Sequence, residues 1–186
     1  MMGGAALIAA LLVFIGVQTV RSQSLKRQNV KLSQSFQIRE ELNENPDKIA
    51  DLEKMAGRGK FARTAYLQLG TYWFEQGDFV KAMDQLDNIS DKRKDLLYYQ
   101  VQDLKAQIHF LQKNYDESIR IYEVIEEEKP KNFSLDSVLF NKARSLEEKG
   151  DKEQALLIYK RIQEDYAQTY YAMDAAQKIA KLEEKK

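Results

Sequence analysis

The sequence predicts an all-α fold: a short α-solenoid of about three helix pairs with a capping helix, preceded by a single transmembrane helix. Apolar residues recur at helical spacing along most of the chain, which is the pattern of amphipathic helices. Two independent positions repeat along the chain with the same step. An uncharged apolar segment lies near the N-terminus. Together these observations favour a tethered array of stacked helix pairs.

The clearest helix pair spans residues 65–86. Its first helix carries one packing face, made of residues at i, i+3, i+4 and i+7: Tyr66, Leu69, Gly70 and Trp73. Gly70 is small enough for a second helix to approach closely. The pair Gly77-Asp78 ends the first helix, because glycine tolerates the left-handed conformation that follows a helix C-terminus. Ala82 and Leu86 then begin the apolar stripe of the second helix.

The same positions recur further along the chain. Two of them advance by steps of 36 and then 37 residues: the small residue of the first helix (Gly70, Ala106, Ala143) and the small residue of the second helix (Ala82, Ser118, Ala155). The third repeat turns at Gly150-Asp151, whereas the second has Asn114-Tyr115-Asp116 and is degenerate. Residues 168–184 form one more amphipathic helix. We interpret it as a capping helix, because its charged outer face would solvate the end of the array.

The spacing Tyr-x2-Leu-Gly-x2-Trp, followed by Ala-x3-Leu, is similar to the tetratricopeptide repeat, with Tyr66 in the usual Trp position and Trp73 in the usual Tyr position. Residues 61–166 resemble about three such repeats. The second repeat departs from the pattern at its turn, and Lys105 and Lys142 occupy a position that usually holds Leu. The resemblance implies an α-solenoid whose first helices line a concave groove.

A membrane span followed by a short repeat array is similar to the tetratricopeptide-like ancillary subunit of the bacterial Sec translocon. That resemblance rests on architecture and helix order. It implies a single-pass protein of the inner membrane, with its repeat domain in the periplasm beside translocating chains and chaperones.

We divide the chain into a transmembrane anchor at residues 1–21, a juxtamembrane helix at 22–45 and a repeat domain at 46–186. Residues 3–20 carry no charge, and eighteen helical residues span roughly 27 Å, close to the thickness of the hydrocarbon core. A cleaved signal peptide is the alternative, because Val20-Arg21-Ser22 loosely matches a cleavage site. No basic residue precedes the apolar run, however, which favours an uncleaved anchor in the lipid bilayer.

Two arguments about membrane topology disagree. Arg21, Lys26, Arg27 and Lys31 follow the apolar run and nothing basic precedes it, so the positive-inside rule favours a cytoplasmic repeat domain. The architecture favours the periplasm, and this is the placement that we expect.

The composition argues against several functions. Lys and Arg number 29, and Asp and Glu also number 29, so no net positive field draws the chain to nucleic acid. Without cysteine, the single histidine, His109, cannot build a common zinc site, and we expect it to have a packing or hydrogen-bonded role. Gly57-Arg58-Gly59 lacks a preceding strand, so it is interpreted as a helix connector rather than a phosphate loop. We expect no enzymatic activity, no cofactor and no metal.

The candidate partner-binding groove consists of residues that lie off the packing stripe of the first helices: Arg63, Leu67, Thr71 and Phe74 in the first repeat, Asp103, Gln107 and Phe110 in the second, and Phe140 and Arg144 in the third. Exposed aromatic residues on a concave face would mark a peptide or helix site. The alternative is that these residues cover the chain's own helices at 22–45 or 46–56. The sequence leaves both interpretations open.

These features predict a membrane-tethered protein–protein interaction scaffold, an ancillary component of a protein translocation or chaperone assembly at the bacterial envelope. Its expected partners are a translocon, a chaperone or unfolded segments, and confinement near the bilayer raises its effective concentration beside them. Two alternatives remain. One is a permanent structural subunit of a large membrane or envelope machine, in contact with neighbouring subunits, and the other is a regulatory subunit of an enzyme complex.

Overall fold

The structure is a computed structural model, and it describes residues 23, 30, 33–42, 44–57 and 61–184. The predicted anchor at residues 1–21 lies outside the described residues. Within the described part of the chain, no helix combines the length and the apolar character needed to cross a membrane. The chain divides into two compact units, Met1–Leu69 and Gly70–Lys186, and each is described by itself.

The first unit contains short helices. Residues 33–41 are helical (α1), a single 3-10 turn follows at Pro46–Lys48, and α2 covers Ile49–Ala56. The turn begins where the sequence places Asn45-Pro46, since proline is favoured in the first turn of a helix. Lys48 pairs with Glu41 across this turn. Apolar side chains on the inner faces of these helices are buried: Ile38, Leu42, Leu52 and Ala56.

A helix that begins in the first unit, α3 at Ala62–Glu75, continues into the second. The second unit then contains six further helices in its described residues: α4 at Phe79–Asp87, α5 at Leu96–Leu111, α6 at Tyr115–Glu128, α7 at Leu135–Lys149, α8 at Lys152–Asp165 and α9 at Tyr170–Glu183. Each helix from α4 to α9 packs on the next one, and α7 also contacts both α5 and α9. This stacking of neighbouring pairs confirms the predicted all-α solenoid. The predicted capping helix corresponds to α9.

The three turns inside the helix pairs share one hydrogen-bond pattern. In each turn, a backbone N–H donates to a carbonyl five residues earlier: Asp78 to Trp73 at 2.9 Å, Asn114 to His109 at 2.8 Å and Asp151 to Leu146 at 2.9 Å. This is the Schellman closure of a helix, which needs a residue with positive φ. Gly77 and Gly150 supply it with φ of 75° and 103°, and Lys113 adopts 64° in the second repeat. The degenerate second turn therefore keeps the geometry without the glycine.

The first helix of each pair has a small residue where it faces the second helix, which lets the two helices approach closely. A Cβ atom built on Gly70 would lie 2.7 Å from Leu86 Cδ2 and 2.9 Å from Leu86 Cγ, so a larger residue there would displace the buried Leu86 side chain. Ala106 and Ala143 occupy the same position in the next two repeats and are fully buried. Around them the core is built from large side chains that include Tyr122, Ile125, Leu139, Tyr159 and Ile162.

The two lysines that depart from the repeat pattern are partly buried and paired. Lys105 pairs with Asp87 of the preceding helix. Lys142 Nζ lies 3.0 Å from Glu126 Oε2, and Arg161 of α8 pairs with the same carboxylate. Burial acts to raise the pKa of Glu126, but the hydrogen bonds from Arg161 and Lys142 outweigh it and lower the pKa. Glu126 on α6 therefore connects α7 and α8.

Candidate functional site

A cleft of about 200 Å³ lies in the second unit between the end of α3 and helices α5, α6 and α7. Eight residues line it: Phe74, Gln107, Phe110, Leu111, Tyr122, Asn141, Arg144 and Ser145. Four of these belong to the groove predicted from the sequence, namely Phe74, Gln107, Phe110 and Arg144. We call this feature the α5–α7 cleft.

The apolar side of the cleft is aromatic. Phe74 and Phe110 are half-buried, and each ring is held by a neighbour that follows the turn. The centroid of Phe74 lies 6.0 Å from that of Phe79, and the centroid of Phe110 lies 5.7 Å from that of Tyr115. Leu111, at the mouth, is 49% exposed. These contacts hold the rings in place while leaving part of their surface open to a partner.

Arg144 on α7 provides the positive charge of the cleft. Its Cζ atom lies 4.7 Å from the centroid of the Phe110 ring, which is a cation–π contact. Among the residues that the structure describes, no carboxylate forms an ion pair with Arg144. The guanidinium is therefore held against an aromatic ring, and its planar set of five N–H donors suits a carboxylate ligand.

Asp103 lies on α5 next to the cleft and is engaged in a polar network. The hydroxyl of Tyr122 donates to Asp103 Oδ1 at 3.2 Å, and the amide of Gln107 donates to Asp103 Oδ2 at 3.1 Å. Burial raises the pKa of Asp103, against these two hydrogen bonds, which act to lower it. Burial also raises the pKa of Tyr122. Both carboxylate oxygens are thus occupied by the protein's own donors.

The remaining predicted groove residues lie elsewhere. Phe140 is only 8% exposed, because Tyr159 and Tyr171 pack on its ring with centroids 5.6 and 5.3 Å away. This corrects the expectation of an accessible ring at position 140, which instead forms part of the core. Arg63 and Leu67 belong to the first unit and Thr71 to the second, and all three are half-buried.

The sequence reasoning missed several lining residues. Tyr122 belongs to the core of the second unit, yet it also lines the cleft. Asn141 precedes Arg144 by three positions, so it shares the same helix face and helical spacing alone could have identified it. Ser145 follows Arg144 directly and donates to the carbonyl of Asn141 at 2.9 Å. No sequence signal pointed to Leu111, whose exposure depends on where α5 ends.

His109, the single histidine, lies outside the cleft on a polar surface with Lys113, Asp116, Glu117 and Lys149. Its Nδ1 atom is buried and has no hydrogen-bond partner within the described part of the chain. Its backbone carbonyl closes the second turn, as described above. In the residues that the structure covers, no group of three or more His, Asp or Glu side chains is arranged to hold a metal ion.

Comparisons with known proteins agree with this architecture. The family model described as tetratricopeptide repeat-like domain matches residues 2–137, and a second model, tetratricopeptide repeat, matches residues 137–169. None of the curated proteins matches the sequence significantly.

Among solved structures, the N-terminal domain of stress-induced protein-1 (STI-1) from C. elegans is similar, with a TM-score of 0.52 and 20% identity over 66% of this chain and 94% of that chain. At this identity the similarity shows the fold. The sequence-based resemblance to tetratricopeptide repeats is confirmed. Since the first family model spans more than half of the chain, this protein belongs to the tetratricopeptide repeat-like domain family.

Proposed function

We propose that this protein is a membrane-tethered scaffold that binds other proteins through the α5–α7 cleft. Tetratricopeptide repeat domains generally mediate protein–protein interactions. The observation that carries the proposal is the cleft itself, in which Phe74 and Phe110 present half-buried rings beside the guanidinium of Arg144. Aromatic and arginine side chains are the residue types that dominate binding energy at protein interfaces.

The size of the cleft also favours a protein partner. Sites for small molecules usually measure about 300–1,000 Å³, whereas this cleft measures about 200 Å³. A volume of this size accommodates anchoring side chains of a segment that otherwise lies along the surface. The lining combines apolar rings with amide groups, which suits a peptide carrying both apolar and polar side chains.

The membrane tether and the cellular setting are further parts of the proposal. The uncharged run at residues 3–20 is long enough to span a bilayer, and an anchor before a short repeat array is similar to the ancillary subunit of the bacterial Sec translocon. We therefore place the protein at the inner membrane, with the repeat domain in the periplasm beside a translocation or chaperone assembly.

Crosslinking in native membranes, followed by capture of the tagged full-length protein, tests the binding site. Phe74→Ser and Leu111→Ser should each reduce crosslinked partner several-fold, because each removes apolar surface from the cleft. Leu157→Ser is the matched control, since Leu157 is 65% exposed on α8, outside the cleft. Circular dichroism verifies folding of each variant. Equal capture by the control and the two cleft variants would show that the partner binds elsewhere.

The tether is tested separately by N-terminal sequencing and by protease treatment of spheroplasts. We expect the mature chain to retain residues 3–20 and a tag after Lys186 to be cleaved by added protease. A mature chain beginning near Gln23 would exclude the anchor. A protected tag, alongside a cleaved periplasmic control, would exclude the periplasmic placement while leaving the cleft proposal standing.

A further inference from the structure

We propose that the α5–α7 cleft selects a segment in which an acidic side chain, Asp or Glu, lies next to an apolar one. In this arrangement the carboxylate binds Arg144 and the apolar side chain contacts Phe74 and Phe110. The inference rests on the proposed function, since it specifies the chemistry of the partner at the same site.

The first argument is that no carboxylate among the described residues forms an ion pair with Arg144. Three other basic side chains in the second unit are partly buried, with side-chain exposures of 18% for Lys105, 14% for Lys142 and 27% for Lys178, and each pairs with a carboxylate. Arg144 is half-buried and contacts the face of Phe110 instead. Partly buried charges in proteins are usually paired. An anionic group on the partner would supply the missing counter-charge.

The second argument concerns an acidic group beside the cleft. Asp103 adjoins the cleft, but its two oxygens accept hydrogen bonds from Tyr122 and Gln107. These bonds tie the carboxylate to Tyr122 of α6 and to Gln107 one turn along α5. The carboxylate of Asp103 is therefore committed to the protein's own donors, so a ligand rather than Asp103 would supply the counter-charge of Arg144.

The third argument concerns the type of anion. Arg144 is the one basic residue among the eight that line the cleft. A phosphate group carries close to two negative charges and is usually bound by several basic groups, so a single guanidinium matches a singly charged carboxylate better. The planar guanidinium also matches a carboxylate geometrically through two parallel hydrogen bonds. Asn141, three residues before Arg144, adds a polar side chain to the lining beside the guanidinium.

The experiment uses the full-length protein in detergent micelles and a displayed library of random ten-residue peptides. Enriched sequences are then synthesised with amidated C-termini, so that binding cannot arise from a terminal carboxylate. We expect enrichment of Asp or Glu adjacent to Leu, Phe or another apolar residue. Replacing that acid by its amide should weaken binding to the unaltered protein by about ten-fold, as expected for loss of a charge-assisted hydrogen bond.

Arg144→Gln provides the decisive variant. On it, the acidic peptide and its amide should bind with equal affinity, whereas Arg144→Lys should retain part of the difference because the charge remains. Arg120→Gln is the matched control, since Arg120 lies exposed on α6 and pairs with Glu117; it should leave both affinities unchanged. If Arg144→Gln weakened both peptides equally, Arg144 would contribute to the shape of the cleft and not to acid recognition, which would overturn the inference.

The peptide experiment also distinguishes acid selection from the broader proposal that the cleft binds proteins. Enriched peptides that are apolar, lack acidic residues and lose binding in Phe74→Ser would contradict acid selection and support the cleft as a protein-binding site. If no peptide is enriched and the crosslinking variants behave like the control, both proposals fail.

Discussion

The second and third repeats follow the same register but use different chemistry on the face that the sequence assigned to the groove. Asp103 and Phe140 occupy corresponding positions, and so do Tyr122 and Tyr159, each pair being 37 residues apart. In the second repeat, Tyr122 donates its hydroxyl to Asp103. In the third, the ring of Tyr159 packs against Phe140 and its hydroxyl donates to Glu147 at 3.0 Å. The helix pair thus tolerates either a polar or an apolar residue at this position.

The two positions also differ in what surrounds them. In the third repeat, Phe140 packs against two tyrosines, Tyr159 of α8 and Tyr171 of α9, in tilted ring contacts, so this face is closed. In the second, a carboxylate stands in place of the ring and accepts hydrogen bonds from Tyr122 and Gln107, both of which line the α5–α7 cleft. The packing and turn positions are shared by the two helix pairs, whereas this position differs in its chemistry and in its partners.

The largest effect on stability is expected from removing the buried ring of Phe140. Phe140→Ala should lower the free energy of unfolding by about 3–5 kcal/mol, because it removes a buried ring and leaves a cavity. Phe110→Ala should cost clearly less, since Phe110 is half-buried and borders the open cleft. Urea denaturation followed by circular dichroism measures both. Equal losses would show that the cleft residues are as much a part of the core as Phe140.

The turns provide the next contrast. Gly150→Ala should destabilise the fold by about 1–2 kcal/mol, because a Cβ atom strains a backbone with φ of 103°. Lys113→Ala should have nearly no effect, since the second turn already holds a residue with a side chain at positive φ. Thermal and urea unfolding measure the loss of stability in both variants. A large loss for Lys113→Ala would mean that the Lys113 side chain, and not its backbone, stabilises the second turn.

A smaller effect is expected at the N-caps that follow these turns. The carboxylate of Asp151 accepts a hydrogen bond from the backbone N–H of Gln154 at 3.2 Å, whereas Asn114 makes no side-chain cap bond. Asp151→Ala should therefore cost about 1 kcal/mol, and Asn114→Ala should cost less than half as much. The same unfolding assay applies, with Asp78→Ala as an internal comparison because Asp78 caps α4 at 3.0 Å. A cost for Asn114→Ala equal to that of Asp151→Ala would contradict the difference between the turns.

The smallest effect is expected from removing the charge of Asp103. Asp103→Asn keeps an acceptor for Tyr122 and should change stability at neutral pH by less than about 1 kcal/mol, in the stabilising direction. Because burial raises the pKa of Asp103, the folded state binds its proton more tightly than the unfolded state, and stability contributed by this group is lost as pH rises through the folded-state pKa. The advantage of the variant should therefore increase with pH from about 4 upward and then level off. An advantage that is largest at acidic pH would reverse this assignment.

Much of the repeat array could be predicted because its determinants are local. Gly77, Gly150 and the small residues at Gly70, Ala106 and Ala143 act through neighbouring turns and facing helices, and these leave a periodic signal. The cleft was only partly predictable. Helical spacing gave the correct face for Phe110 and Arg144, but it could not show that Tyr171, thirty-one residues after Phe140, covers that ring. The bond from Tyr122 to Asp103 likewise depends on the packing of α6 against α5.

The carboxylate of Glu126 also has a consequence for how the array opens. It holds Lys142 of α7 and Arg161 of α8 at once, so the last helices cannot detach without leaving a partly buried anion short of one partner. In a linear array, such a link raises the energy of a boundary between folded and unfolded repeats. The C-terminal repeats should therefore fray as a block, with the amides of α6, α7 and α8 exchanging with solvent as one cooperative unit.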